Sequence, residues 1–577
     1  MWNLFILAKI NKKKLLLLLV FISLQVLGTL YLPTLTANIL NEGVLQADLD
    51  KVYEIGKSML LVAVGTGAAA ILSTYLSADV SAKFSRNIRN MLFKKTQLLS
   101  IQDFKQFKTS LLITRATNDV EQVQAMLSMF FEMLLPMPFV VIIGMILAYL
   151  REPQMAMIIF ITMFIFFVIA ALLINKVMPM FDQVQSGLDQ INERVGQFFS
   201  GIRVIRAFNR TKLKQQQMNE SFHRFAKLNI RINRWFALMM PLILLILNVA
   251  TVAIVWFGAE RINAGDMQIG DITAVMEYAM NILFYSVMAL YSFVMMPRAI
   301  TCAKRIREVL NYSPEIEDGK ETMNVRTEKA KLEFNNVSFC YSDAENPVLH
   351  NVSFTCEAGS TTAIIGGTGT GTGKSTIAKL IPRLIDTQGG EVLLNGYALA
   401  DVPQRELRKQ IGFVPQKAYL FSGTIAENLR HGNKSATEEE INHALSIAQA
   451  TPFISSLPHG IKTTVSQGGT NFSGGQKQRL AIAKMLMKKP QVYVFDDSFS
   501  ALDFKTDAAL RKALKEETKE AIVIYVAQRI STIKDADQII VLDEGKVVGK
   551  GTHHELLRSC PHYLDIARSQ LSEEELV

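Results

Sequence analysis

Lys374 and Ser375 stand at the end of a glycine-rich run, TTAIIGGTGTGTGKST (Thr361 to Thr376), which starts as an apolar strand and finishes entering a helix. Such a loop points successive backbone N–H groups at a phosphate, and the helix N-terminus adds positive potential. Gly366, Gly367, Gly369, Gly371, Gly373 and Thr376 would shape the cradle, Lys374 would reach the β- and γ-phosphates, and the Ser375 hydroxyl would bind magnesium. A flexible loop with no ligand is the plainer alternative, and the Lys-Ser-Thr leading into a helix argues against it. The spacing departs from G-x-x-x-x-G-K-[ST]: Thr368 stands five residues before Gly373, as if one Thr-Gly pair had been added. Those two residues must bulge away or distort the nest of amides. A bulge near 367–369 is expected, because the final Gly-Thr-Gly-Lys-Ser-Thr keeps its register with the helix.

Further on, QVYVFDD (Gln491 to Asp497) is a hydrophobic strand ending in two carboxylates. Asp496 is placed to hold magnesium, directly or through water, as in P-loop ATPases. Strands ending in acids are common, and it is the position downstream of the glycine-rich loop that gives this one weight.

The elements that must position these groups fall into two classes. From 332 onward, short β-branched runs alternate with helical stretches, the pattern of an α/β domain. The first 300 residues instead hold six apolar runs near the 20 residues needed to cross a bilayer. They are Leu15 to Ile39, Met59 to Leu76, Phe130 to Leu150, Met155 to Ile174, Phe236 to Gly258 and Ile272 to Met296. The expected fold is thus an all-α six-helix transmembrane domain (1–310), a linker (311–330) and an α/β P-loop domain (331–577). The first ten residues, with Trp2 and Phe5 before a lysine cluster, fit an interfacial helix.

Orientation follows from Lys and Arg. The connections 77–129 and 175–235 carry eight and eleven of them, whereas 41–58 carries two and 259–271 only Arg261. Both termini and the two long connections are therefore expected in the cytoplasm of a multi-pass cell-membrane protein. The net charge of +9 has the same explanation, and nucleic acid is not an expected partner. The long connections are polar and poor in Gly and Pro, so the spans should continue as helices. Breaks near Ile101 to Leu112 and near Arg206 to Lys214 would admit short transverse helices. Cys302, Cys340, Cys356 and Cys560 form no CxxC pair and no metal-ligand spacing.

NFSGGQKQR (Asn471 to Arg479) resembles the signature of ATP-binding-cassette proteins, and the likeness extends over essentially the whole chain as an exporter half-transporter. SLLITRATNDV (Ser110 to Val120) and GIRVIRAFNR (Gly201 to Arg210) are similar to the intracellular loops of such exporters, although a solvated helical face would read alike. The resemblance implies that Tyr341 stacks on adenine and that Gln416 approaches magnesium, completing Ser375 and Asp496. It implies that the Ser500 to Asp503 loop crosses a dimer interface, with Asp503 in it. Two ATP-binding domains would pair head to tail, so that Ser473, Gly474, Gly475 and Gln476 touch ATP held by the other subunit. ATP would close the pair, a ligand-driven shift between two states. Two positions depart from the active pattern. Asp497 stands where the family has the glutamate that polarises the attacking water, and Gln528 where it has a histidine on the γ-phosphate. With the lengthened loop, these read as a degenerate ATP site beside an intact signature, the pattern of one subunit of a heterodimer.

The function expected is ATP- and Mg2+-dependent export of hydrophobic or amphipathic compounds, drugs in the first place. Lipid or peptide export, or an ATP-gated channel or regulatory membrane protein, are the alternatives. Met126, Met129, Phe130, Phe131, Met133, Met239, Met240, Met295 and Met296 suit a permissive surface, or simply face lipid. Glu132 and Glu277 lie within spans, where an ionisable group usually faces a cavity. They would attract cationic substrates or pair with a neighbouring helix.

Overall fold

The computed structural model describes residues 2–8, 10–323, 330–342, 344–367 and 372–571. By contact the chain divides into two units, residues 1–98 with 107–313, and residues 99–106 with 314–577.

The first unit is helical. After α1 (Trp2–Leu7), the first apolar run lies in α2 (Lys12–Asn38), whose N-terminus is capped by the Asn11 side chain accepting from the Lys13 N–H. A π-helical turn, Ile39–Val44, follows it, then α3 (Leu49–Thr96) capped by Asp48. The 48 residues of α3 would extend about 72 Å, far more than the ~30 Å of a hydrocarbon core. The helix therefore continues well beyond its apolar part, as the polar connections predict. The third span is assembled from α5 (Thr109–Thr114), a π-turn Arg115–Asp119, α6 (Val120–Met129), a second π-turn Phe130–Leu134, and α7 (Pro136–Arg151). Long α8 (Pro153–Ser200), α10 (Thr211–Asn263) and α11 (Ile269–Asn311) carry the last three. Among the described residues, six helical segments are long and apolar enough to cross a membrane.

Two short helices interrupt the long ones: α4 (Ile101–Phe107), where a break was expected, and α9 (Ile202–Ala207). The second sits a few residues before the expected 206–214. Gly201 ends α8 and Asn209 takes φ +51, so the turn closes early and the helix-forming residues from Thr211 to Lys214 join α10.

Packing brings α2 against α3, α8 against α10, and α11 against α2 and α7. At Gly28 a Cβ would sit 1.9 Å from Thr66 Oγ1, so only glycine admits the observed approach of α2 to α3. At one end, Arg151 donates to Asp271 Oδ1 and Asn38 Oδ1, both at 2.8 Å, while the Gly270 N–H donates to Asn41 Oδ1 at 2.7 Å. These bonds tie α2 and its π-turn to α7 and α11.

The second unit is α/β. Its strands are β1 (Lys331–Phe339), β2 (Leu349–Glu357), β3 (Thr361–Gly366), β4 (Gly389–Leu394), β5 (Tyr397–Ala398), β6 (Ile411–Val414), β7 (Gly423–Thr424), β8 (Thr464–Val465), β9 (Val492–Asp496), β10 (Ile522–Val526), β11 (Gln538–Asp543) and β12 (Lys546–Gly551). A six-stranded sheet runs β12-β11-β3-β10-β9-β6, parallel except for β12, and a four-stranded antiparallel sheet runs β2-β1-β4-β5. β9 and β10 are buried at every residue, as parallel strands covered on both faces must be. Their register pairs Val526 with both Asp496 and Ile364. The C-terminal ends of β3, β9 and β10 thus lie side by side, the edge at which open α/β sheets hold ligands.

Candidate nucleotide site

Strand β3 delivers Gly366 and Gly367 to this edge, and α12 (Lys374–Leu380) leads away from it. Gly373 precedes the helix at φ +84, and a Cβ there would lie 2.4 Å from Leu349 Cδ2, so the turn requires glycine twice over. Gly369 and Gly371 lie outside the described residues, as does most of the expected bulge. Lys374 folds back across the loop mouth: its Nζ donates to Gly366 O at 3.0 Å, Gly367 O at 2.8 Å and Thr372 Oγ1 at 2.8 Å. Burial pushes this ammonium below the ordinary lysine range, with the Asp497 carboxylate opposing the shift. These three acceptors are neutral, and phosphate oxygens in their place would add the negative charge that a buried ammonium favours.

Ser375 donates its hydroxyl to Asp496 Oδ1 at 2.8 Å, joining the two strongest candidates for magnesium. Asp496 is almost wholly buried, and that burial raises its carboxyl above the usual range, with the Ser375 bond pulling the other way. A hydroxyl, a carboxylate and the carboxamide of Gln416 are the hard oxygen donors magnesium prefers, so the residues fit the ion. Bound there, it would neutralise phosphate charge.

Asp497 follows with φ +48, in the left-handed region, its N–H donating to Val526 O at 2.8 Å. This turn leads its side chain to two carboxamides. Asp497 Oδ2 accepts from Gln416 Nε2 at 3.0 Å and from Gln528 Nε2 at 3.3 Å. Burial raises this carboxyl too, and the Gln416 and Ser500 contacts oppose it. Gln528 is held from behind, its carbonyl accepting from Gln570 Nε2 at 2.8 Å. Gln570 carried no sequence signal, since it belongs to no motif and arrives from the far end of the chain.

Tyr341 stands edge-on to buried Phe339, with its hydroxyl 3.2 Å from Thr376 Oγ1 on α12. The Lys105 ammonium lies over the same ring, 5.4 Å from its centre. Lys105 belongs to α4, whose N-terminal residues are tied to this unit: Asp103 Oδ2 accepts from the Ser100 and Glu315 N–H groups. The sequence marked α4 as a transverse helix and could not mark Lys105, because only folding brings residue 105 to residue 341.

The signature residues form a separate surface. Ser473 caps the helix Gly474–Leu486 in a reciprocal box, its hydroxyl accepting from the Gln476 N–H while Gln476 Oε1 accepts from the Ser473 N–H. Ser473 and Gly474 are exposed at this N-terminus, a ready anion site. Gly475 is closed in: a Cβ would lie 2.9 Å from Ala501 O, in the loop that precedes Asp503. Asp503 itself caps the helix Phe504–Glu517, accepting from the Thr506 N–H at 2.9 Å, which lowers its carboxyl below the ordinary range. Among the described residues no hydrogen bond joins Ser473, Gly474, Gly475 or Gln476 to the phosphate loop. Glu132 and Glu277 lie in the other unit, on the second π-turn of the third span and on α11.

Comparison with known proteins agrees with this geometry. Residues 15–287 match the ABC transporter transmembrane region, and residues 349–500 match the ABC transporter family. An uncharacterized ABC transporter ATP-binding protein of Mycobacterium tuberculosis (strain CDC 1551 / Oshkosh) is 38% identical over 549 residues, 94% of either chain. The ATP-dependent lipid A-core flippase of Syntrophus aciditrophicus (strain SB) is 29% identical, over 90% of this chain and 86% of its own. In fold the chain is similar to a bacterial Atm1-family ABC exporter solved with ATP bound, with a TM-score of 0.83 at 23% identity over 97% of this chain and 99% of that one.

Proposed function

This chain belongs to the ABC transporters, and from that premise we propose that it is one half of a heterodimeric exporter, with a slow ATP site of its own and a signature serving a second, non-identical half. Membership makes it a multi-pass membrane protein whose ATPase domain couples hydrolysis to transport. Members of this exporter class work as dimers.

The observation that carries the division of labour is the pair of carboxamides on Asp497 Oδ2. A carboxylate one methylene shorter than glutamate, held back by Gln416 and Gln528, is badly placed to polarise water at a γ-phosphate. Misplacement by about 1 Å can cost about a hundredfold in rate. Gln528 can donate a hydrogen bond there and cannot supply the charge of an imidazolium. The exposed, well-capped signature helix supports the other half of the reading, since nothing in it is degraded.

The substrates proposed are hydrophobic or amphipathic compounds, drugs or lipid-like molecules, moved outward with both termini in the cytoplasm. The flippase relative favours the lipid-like end of that range. Reconstitution tests the proposal: the chain and its second half together should pump a fluorescent amphiphile in an ATP-dependent way. A chain that alone forms a stable homodimer with full, substrate-stimulated turnover would contradict it.

A further inference from the structure

We propose that the notch around Glu132 binds the cationic head of a single-chain amphiphile, an inference that rests on the exporter reading above. The notch has a volume of about 100 Å³ and lies between α2, α3 and the π-turn Phe130–Leu134. Its polar wall is made of hydroxyl, carboxamide and carboxyl groups. Ser77 donates its hydroxyl to Glu132 Oε1 at 3.1 Å, and the Ser73 hydroxyl lies 2.8 Å from Gln25 Oε1. Phe131 and Ile22 supply apolar surface beside them. No lysine, arginine or histidine lines the space, and Glu132 forms no ion pair among the described residues. An ionised Glu132 would therefore meet no basic side chain in the notch.

Placement makes that charge informative. Gln25 lies ten residues into the apolar run that starts at Leu15, about 15 Å along the helix axis, so the notch opens at membrane depth. A carboxylate there is costly unless a cation or a proton meets it. The helix also deviates at this point. A π-turn adds a residue to the local winding and swings the side chains that follow it, a distortion frequent at functional sites. Pro136, with no N–H to donate, makes the irregularity easier and does not account for an acid upon it.

Size narrows the ligand class. About 100 Å³ admits a primary or trimethylated ammonium group and is too small for a whole amphiphile. The alkyl tail would remain outside the notch, against the apolar helices. Ser77 fixes one carboxyl oxygen and leaves the other for the ligand, and the aromatic Phe131 in the same wall is a residue type that suits a quaternary ammonium.

The test is ATP-dependent uptake of radiolabelled dodecyltrimethylammonium, and of neutral 1-O-dodecylglycerol, into inside-out vesicles carrying the chain with its second half. Glu132→Gln should raise the half-saturating concentration of the cation at least tenfold and leave the neutral compound within twofold. Ser77→Ala and Gln25→Leu should shift the cation alone, by a smaller factor, and they carry the test if Glu132→Gln fails to fold. Unchanged cation uptake in Glu132→Gln, or equal losses for both compounds in Ser77→Ala and Gln25→Leu, overturns the inference. Wild-type vesicles that pump the neutral compound and not the cation overturn the notch alone. Vesicles that pump neither overturn the substrate reading beneath it.

Discussion

Asp497 adopts φ +48, a conformation that aspartate and asparagine tolerate better than most side chains. The Asp497→Asn variant should therefore keep the turn, and its amide oxygen can still accept from Gln416. Burial raises the Asp496 and Asp497 carboxyls in the folded chain, so the native state binds their protons more tightly than the unfolded state does. Stability from these groups is then greatest at acidic pH and is lost as pH rises from the ordinary aspartate range, about 4, through the raised values. Thermal unfolding of the full chain in nanodiscs without nucleotide should show Asp497→Asn at least as stable as wild type at neutral pH, with a shallower decline as pH rises above about 4. A steeper decline would mean the carboxylate stabilises the fold. Lys374, Ser375 and Asp496 were legible in sequence because backbone geometry fixes their spacing around a phosphate. Gln570 and Lys105 were not, because each reaches the site through contacts between residues far apart in the chain.

Among the elements, the signature helix depends on its first residue for both its fold and its proposed task. Ser473→Ala breaks the capping box and should cost about 1 kcal/mol. Ser473→Asn should restore most of that stability, because asparagine caps as well, while its bulk still obstructs a phosphate. Urea or thermal unfolding separates the two variants, and equal destabilisation would show that the cap is not what Ser473 contributes. The ends of α2, α7 and α11 depend on Arg151. Arg151→Met removes the charged partner of Asp271, leaving it the Gln268 N–H and the Asn41 carboxamide, and should cost about 1–3 kcal/mol. Adding Asp271→Asn should recover part of that loss, a coupling that a double-mutant cycle measures directly. The long helices could be foreseen because the polar connections lack Gly and Pro. The π-turns could not, since one extra residue in a turn leaves no periodicity of its own, and only the turn at Phe130–Leu134 has a nearby proline, Pro136, to mark it. The early position of α9 follows from Gly201 and Asn209, whose backbone preferences end α8 and close the turn before Thr211.

For the whole molecule, two classes of residue pattern were enough to foresee an all-helical membrane part followed by an α/β domain, because bilayer thickness and parallel-sheet burial each leave long, simple signals. What one chain cannot display is the face it shares. Ser473 and Gly474 are exposed at the N-terminus of their helix, where the proposed head-to-tail partner would meet them. In the proposed heterodimer this chain's signature serves a fast site in its partner, while its own site, built on Asp497 and Gln528, is slow. This division of labour is tested most directly by ATPase activity in the assembled heterodimer. Ser473→Arg in this chain should remove at least nine-tenths of turnover, Asp497→Asn should leave at least half, and disabling the glutamate of the partner should abolish the remainder. If Asp497→Asn instead stops turnover as completely as Ser473→Arg, the catalytic site is this chain's own and the roles are reversed.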